Sequence, residues 1–93
     1  MNNFCLFAGR HPLPGNPPAL FSEFDFETFL PTETEDYTDF MGLLATGHEV
    51  RVYVTGLTPA LSHLMFDVAG HLGELTLLHF DRDSGGYVEQ KQK

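Results

Sequence analysis

The sequence predicts a small α/β fold with a mainly parallel sheet, in two or three layers, and a C-terminal β-hairpin. Val50 to Thr55 alternates apolar and polar residues, as a sheet strand does. Residues 58–72 place apolar side chains at helical spacing, and residues 75–80 are nearly continuous apolar sequence, typical of a strand covered on both faces. The three stretches together predict a βαβ unit. The turn-forming residues 81–86 then predict the hairpin.

The helix of this unit has recognisable ends. Thr58 is predicted to be its N-cap, with Pro59 at the first helical position, where the missing N–H costs nothing. Gly73 is predicted to be the left-handed residue that ends it. The apolar face between these ends comprises Leu61, Leu64, Met65, Val68, Ala69 and Leu72.

The remaining elements come before this unit. Residues 4–8 are wholly apolar and predict a central strand, while residues 17–21 allow one helical turn at most. Residues 23–30 alternate between apolar and acidic or polar types, which predicts an edge strand that Pro31 ends. Residues 37–45 then supply the apolar side of another helix. The acidic run before that helix is interpreted as its solvated first turn, where the macrodipole favours acids.

Composition limits the possible functions. The chain has 93 residues, 42% of them hydrophobic, and a net charge of −8. This charge argues against binding duplex DNA or RNA and against an anionic membrane surface. It leaves room for one small anionic ligand held by local backbone dipoles, because such fields are short-ranged. A domain this small gains core by pairing with a second copy, so we expect a homodimer.

Cysteine usage and hydropathy point to an ordinary soluble chain. The one cysteine, Cys5, lies in an apolar run and is expected to be a core residue, with no disulfide and no cysteine-based metal site. No run approaches the ~18 apolar residues of a membrane span. A cytoplasmic location is the expectation.

The loop after the first strand is one candidate site. Gly9, Arg10 and His11 lie at the C-terminal end of that strand, where open α/β sheets bind ligands. Arginine can neutralise a developing phosphate charge, and histidine can move a proton. The alternative, a loop whose polar residues face water, stays open.

The turn from Thr55 to Thr58 is the second candidate. Gly56 allows close approach of a ligand to the backbone around Leu57, and the helix N-terminus offers unpaired N–H groups. The hydroxyls of Thr55, Thr58 and Ser62 suit a phosphate. The turn lacks the complete dinucleotide and P-loop patterns, and a purely structural cap at Thr58 remains the alternative.

Metal binding is the least favoured chemistry. His63, Asp67 and His71 follow one another at helical spacing, and two histidines with a carboxylate can bind zinc. Two helical turns separate the histidines by about 12 Å, too far for one ion. A solvated helix face or a dimer contact is therefore preferred. No metal and no cofactor is predicted, and a metal hydrolase using His63 and the acids ranks last.

Two short motifs resemble the small CRISPR-associated, CARF-like proteins that bind or cleave cyclic oligoadenylate. One is Arg10-His11-Pro12-Leu13 after the first strand, and the other is Gly56-Leu57-Thr58-Pro59-Ala60-Leu61 at the later helix. The resemblance implies a Rossmann-like homodimer with its ligand across the two-fold axis. Arg10 and His11 would contact or cleave the phosphodiester, and Gly56, Thr58 and Ser62 would hold phosphate or ribose. The stunted first crossover helix, Pro14 in place of a frequent threonine and the additional C-terminal hairpin depart from the family.

The leading hypothesis is therefore a cyclic oligoadenylate-binding homodimer that degrades or sequesters its ligand and switches off type III CRISPR signalling. Cleavage would make it a metal-independent phosphodiesterase, a ring nuclease. The alternative is a small acidic interaction module, an inhibitor or adaptor without catalysis, which the net charge of −8 favours.

Overall fold

A computed structural model describes residues 2–7, 13–55, 58–71 and 73–92 of the chain. These residues form six strands and two helices, with strands accounting for 43% and helices for 27%. The elements in chain order are β1 (Asn3–Phe7), β2 (Ala19–Asp25), β3 (Leu30–Glu33), α1 (Glu35–Ala45), β4 (Glu49–Tyr53), α2 (Thr58–Val68), β5 (Glu74–Asp81) and β6 (Gly86–Gln92).

The strands form a single mixed sheet in the order β3-β2-β1-β4-β5-β6. Strand β1 pairs in parallel with β2 and β4, and β4 pairs in parallel with β5. At the two edges, β3 and β6 run antiparallel to their neighbours. The antiparallel ladders include slightly more residue pairs than the parallel ones, so antiparallel pairing is a principal feature of the sheet.

The prediction of a mainly parallel, Rossmann-like sheet is therefore wrong. Two hairpins, β2–β3 and β5–β6, supply the antiparallel pairings. Only the second was expected from the sequence, and it is confirmed by the pairing of Phe80 with Tyr87. Side chains of both helices belong to the same core cluster, so the described helices do not cover the two faces of the sheet as they do in a doubly wound fold.

The core lies between the two helices and one face of the sheet. The helices contribute Tyr37, Phe40, Leu44, Ala60 and Leu64 to this core. The opposite face carries a smaller cluster of Cys5, Tyr53 and Leu78, against which Leu13 and Tyr87 pack. Leu13, in the described part of the connection between β1 and β2, thus lies on the face opposite the helices.

Residues 17–30 differ from the sequence-based expectation. No helical turn forms after Pro17, because residues 19–25 instead make β2 and pair in parallel with β1. The single strand predicted over residues 23–30 is also wrong, because β2 ends at Asp25 and β3 begins at Leu30. The chain turns after Asp25, whose side-chain oxygen accepts a hydrogen bond from the Glu27 amide at 2.8 Å, and Phe29 adopts a positive φ of 56°. Pro31 lies within β3 rather than after a strand.

The βαβ unit of β4, α2 and β5 is confirmed, with a different C-terminal boundary for the helix. Helix α2 ends at Val68, and Gly70, with φ of +83°, takes the left-handed conformation that was assigned to Gly73. Gly73 serves close packing instead: its amide donates to the Leu44 carbonyl at 2.9 Å. Leu72, predicted on the apolar face of the helix, lies outside the described residues.

Candidate functional site

The carboxyl ends of β1 and β4 form the topological switch point of the sheet. The two strands are parallel neighbours, yet the chain leaves them in opposite directions along the sheet, from β1 to β2 and from β4 through α2 to β5. Leu13 of the first connection packs against the cluster around Cys5, and α2 of the second connection packs in the helix-covered core. Ligands of open α/β sheets bind in the crevice that such diverging connections leave.

Thr55 joins the two strands at this point. Its Oγ1 donates a hydrogen bond to the Phe7 carbonyl at 2.8 Å and accepts one from the Phe7 amide at 3.0 Å. The side chain thereby continues the pairing beyond Cys5 and Tyr53, the last residues paired through the backbone. Thr55 is buried, at 7% exposure. Its hydroxyl proton is committed to this contact, so Thr55 fixes the relative position of the strand ends rather than donating to a ligand.

The other predicted site residues fall into two groups. Gly9, Arg10, His11, Gly56 and Leu57 lie outside the described residues, although Phe7 and Thr55, just before each motif, are in direct contact. Thr58 and Ser62, in contrast, are described. Both are exposed on the first turns of α2, and Thr58 is the first helical residue rather than the residue before the helix.

Thr58 and Ser62 line a shallow open groove. Its other walls are Pro59, His63 and Phe66 of α2 and Phe29 from the turn between β2 and β3. Phe29 and Phe66 are 60% and 82% exposed. The groove thus offers two hydroxyls and an imidazole between exposed aromatic rings, a combination that can hydrogen-bond the polar edge of a ligand and stack on a planar ring.

A cluster of titratable groups lies at the His63 side of this groove. His63 Nε2 is 3.3 Å from Asp67 Oδ2, and the Tyr37 hydroxyl donates to the same carboxylate oxygen. Glu33 of β3 completes the group: one ligand atom from each of Glu33, His63 and Asp67 lies within 4.8 Å of the other two. Burial first, and then the hydrogen bond to Asp67, raises the pKa of Tyr37 above its usual range, so the phenol remains a donor.

Sequence spacing revealed only part of this cluster. The pairing of His63 with Asp67 follows from their separation of one helical turn, whereas Glu33 and Tyr37 are brought in from β3 and α1. His71, grouped with them from its spacing, lies beyond the end of α2 and is not in the cluster.

Charge differs between the two helix N-termini. Glu35 and Asp36 occupy the first turn of α1, whereas the first turn of α2 contains no acidic residue. In the sequence, Arg10 is the only lysine or arginine among the first fifty residues. The first turn of α2 therefore has no carboxylate that would repel an anion.

Comparison of the chain with protein-family models, curated proteins and solved structures found no match. Within the described part of the chain, neither helix is long and apolar enough to cross a membrane.

Proposed function

We propose that the chain binds a cyclic oligoadenylate in a homodimer cleft and degrades or sequesters it, which would switch off type III CRISPR signalling. The observation that carries this proposal is the contact between Thr55 and Phe7 at the switch point. The two segments that resemble cyclic oligoadenylate-handling proteins are about 45 residues apart in the sequence. Arg10 follows Phe7 by three residues and Gly56 follows Thr55 by one, so both segments leave the sheet near this contact.

Cleavage at this site would need no metal. The ribose 2′-OH attacks the adjacent phosphorus, the bond from phosphorus to the 5′ oxygen breaks, and a 2′,3′-cyclic phosphate and a 5′-OH result. In this scheme Arg10 neutralises the charge that develops on the phosphoryl oxygens, His11 takes the proton of the 2′-OH, and water supplies the proton that the departing 5′ oxygen takes up. The protein acts as a sponge if the ring is bound without the 2′-OH being aligned for attack.

Thr58 and Ser62 would bind the ring from the helix side. Both residues line the open groove, and the acid-free first turn of α2 supplies a favourable dipole for phosphate. The exposed rings of Phe29 and Phe66 border the same groove and provide flat surfaces for adenine.

The test is a thermal melt with cyclic tri-, tetra- and hexa-adenylate, followed by chromatography of the same samples. A ligand at 100 times its dissociation constant adds about 2.7 kcal/mol, or about 10–20 °C in Tm for a domain of this size. A shift with an intact ring identifies a sponge, and a shift with linear products a nuclease. No shift with any of the rings would refute the proposal.

Matched variants locate the site. Arg10→Ala and His11→Ala are expected to reduce binding or turnover at unchanged Tm of the free protein. Arg82→Ala and His48→Ala remove the same residue types from exposed positions, in the β5–β6 turn and before β4, and are expected to behave as the parent. If all four variants bind alike, the site assignment is wrong.

The alternative function, a small acidic interaction module, is supported by one specific observation. Phe26, Phe29, Leu30 and Phe66 are all more than half exposed, and Phe24 packs against both Phe26 and Phe29. Exposed apolar side chains with this density mark protein interfaces. Two results together would establish this function instead. The purified chain would bind none of the three cyclic oligoadenylates, and the Phe66→Ser variant would fail to bind a protein partner that the parent chain binds.

A further inference from the structure

We propose that Glu33, His63 and Asp67 form a binding site for a zinc-class divalent cation. This site adjoins the groove of Thr58 and Ser62 through His63. It takes no part in the metal-independent cleavage proposed above and does not depend on that proposal. One imidazole and two carboxylates are a ligand set that zinc accepts.

The distances fit one ion. Ligand atoms at about 2.1 Å from a tetrahedral zinc lie about 3.4 Å apart, and His63 Nε2 is 3.3 Å from Asp67 Oδ2. One oxygen of Glu33, one ring nitrogen of His63 and one oxygen of Asp67 all lie within 4.8 Å of one another. Glu33 is exposed, so its side chain has room to approach an ion that His63 and Asp67 hold.

The neighbouring groups orient the ligands. Tyr37, at 5% exposure, donates its hydroxyl proton to Asp67, and the His63 ring meets the buried Phe21 ring edge to face with centroids 6.0 Å apart. Both contacts restrict the side chains that would bind the ion. Such outer contacts are the usual support of a metal site, which makes Tyr37 a positioning residue here.

Three protein ligands leave one position of a tetrahedral ion open. His63 and Asp67 are partly exposed, with side-chain exposures of 25% and 35%, and His63 lines the groove. The open position would therefore take water. The ion would also tie the outermost strand β3 to α2, two elements that contact each other in the fold.

The test uses the purified full chain stripped with chelator and titrated with Co²⁺ and Zn²⁺ in the absence of any nucleotide. Cobalt is expected to give the strong visible absorption of a tetrahedral site at one ion per chain, and Zn²⁺ is expected to displace it. Zn²⁺ should also raise the Tm of the chain. An unchanged spectrum and an unchanged Tm would show that His63 and Asp67 form only an ion pair.

Variants assign the ligands. Glu33→Gln and His63→Ala are expected to abolish the cobalt spectrum, whereas Glu23→Gln on β2 and His71→Ala beyond α2 are expected to retain it. Tyr37→Phe keeps the packed ring and should weaken metal affinity about 10–100-fold. Glu33 is exposed, so Glu33→Gln tests the site without disturbing the core. Retention of the full spectrum in Glu33→Gln and His63→Ala would overturn the proposal.

Discussion

Thr55 Oγ1 stands between the amide and the carbonyl of Phe7, at 3.0 and 2.8 Å, and links β4 to β1 where their backbone pairing has ended. The Thr55 hydroxyl thus makes the two hydrogen bonds that backbone groups make elsewhere between these strands. The geometry of the strand ends depends on this one hydroxyl.

Replacing the Thr55 hydroxyl by a methyl group, which has a similar size, should lower the stability of the chain. Thr55→Val leaves the Phe7 amide and carbonyl without their partner, and we expect the free energy of unfolding to fall by about 1–3 kcal/mol. Thr55→Ser retains the hydroxyl and should lose less. Urea unfolding of the two variants measures the difference, and equal stabilities would mean that the contact contributes little.

Substitution by alanine is expected to have opposite effects on stability at Gly73 and at Gly42. A Cβ at Gly73 would lie 2.5 Å from the His48 carbonyl oxygen and 2.8 Å from Leu44 Cα, both backbone atoms. Gly73→Ala should therefore destabilise the chain by about 1–3 kcal/mol. Nothing lies within 4 Å of a Cβ at Gly42 in α1, so Gly42→Ala should stabilise by up to about 1 kcal/mol. Thermal melts of both variants check the signs.

Phe40 is expected to be the most sensitive core position of α1. It is fully buried, and its ring packs edge to face against Phe4 at 5.3 Å between centroids. Phe40→Ala should cost about 3–5 kcal/mol, because the cavity adds to the lost burial. Phe66→Ala, at 82% exposure in the parent, is the control and should change stability by less than about 0.5 kcal/mol. Chemical denaturation that ranks the two in the reverse order would contradict the assigned core.

Cys5 should be chemically silent in the folded chain. Its side chain is 1% exposed, and burial raises the pKa of the thiol above its ordinary value. The folded chain therefore contains less thiolate than an exposed cysteine would at the same pH, and burial keeps reagent away from the sulfur. A disulfide reagent at pH 8 should label Cys5 slowly in buffer and rapidly in denaturant. Rapid labelling under both conditions would show that this face of the sheet is open.

The sequence predicted the centre of the sheet better than its edges. The alternation before Thr55 and the apolar run after Gly73 report burial, and burial decides whether a strand is central. The turn at residues 26–29 was missed because its alternating pattern continues across it and its left-handed residue is Phe29 rather than glycine. Strand direction at an edge depends on such turns, so the antiparallel edge formed by β3 could not be inferred.

In the candidate site, too, the sequence predicted the local contacts but not the long-range one. Local spacing identified Thr58 and Ser62 on α2 and paired His63 with Asp67. Glu33 joins them only because the β2–β3 hairpin packs against α2. No periodicity within either segment encodes a contact between residues thirty positions apart.

The two edges of the sheet differ in their capacity to recruit another strand. Strand β3 has four residues and includes Pro31, which lacks the N–H that a new partner would need. Strand β6 spans Gly86–Gln92 and pairs with β5 along its whole length, leaving its outer backbone groups free of any strand in the described chain. Of the two edges, β6 is therefore the one at which another strand can add to the sheet. Lys91 places a charge on that edge.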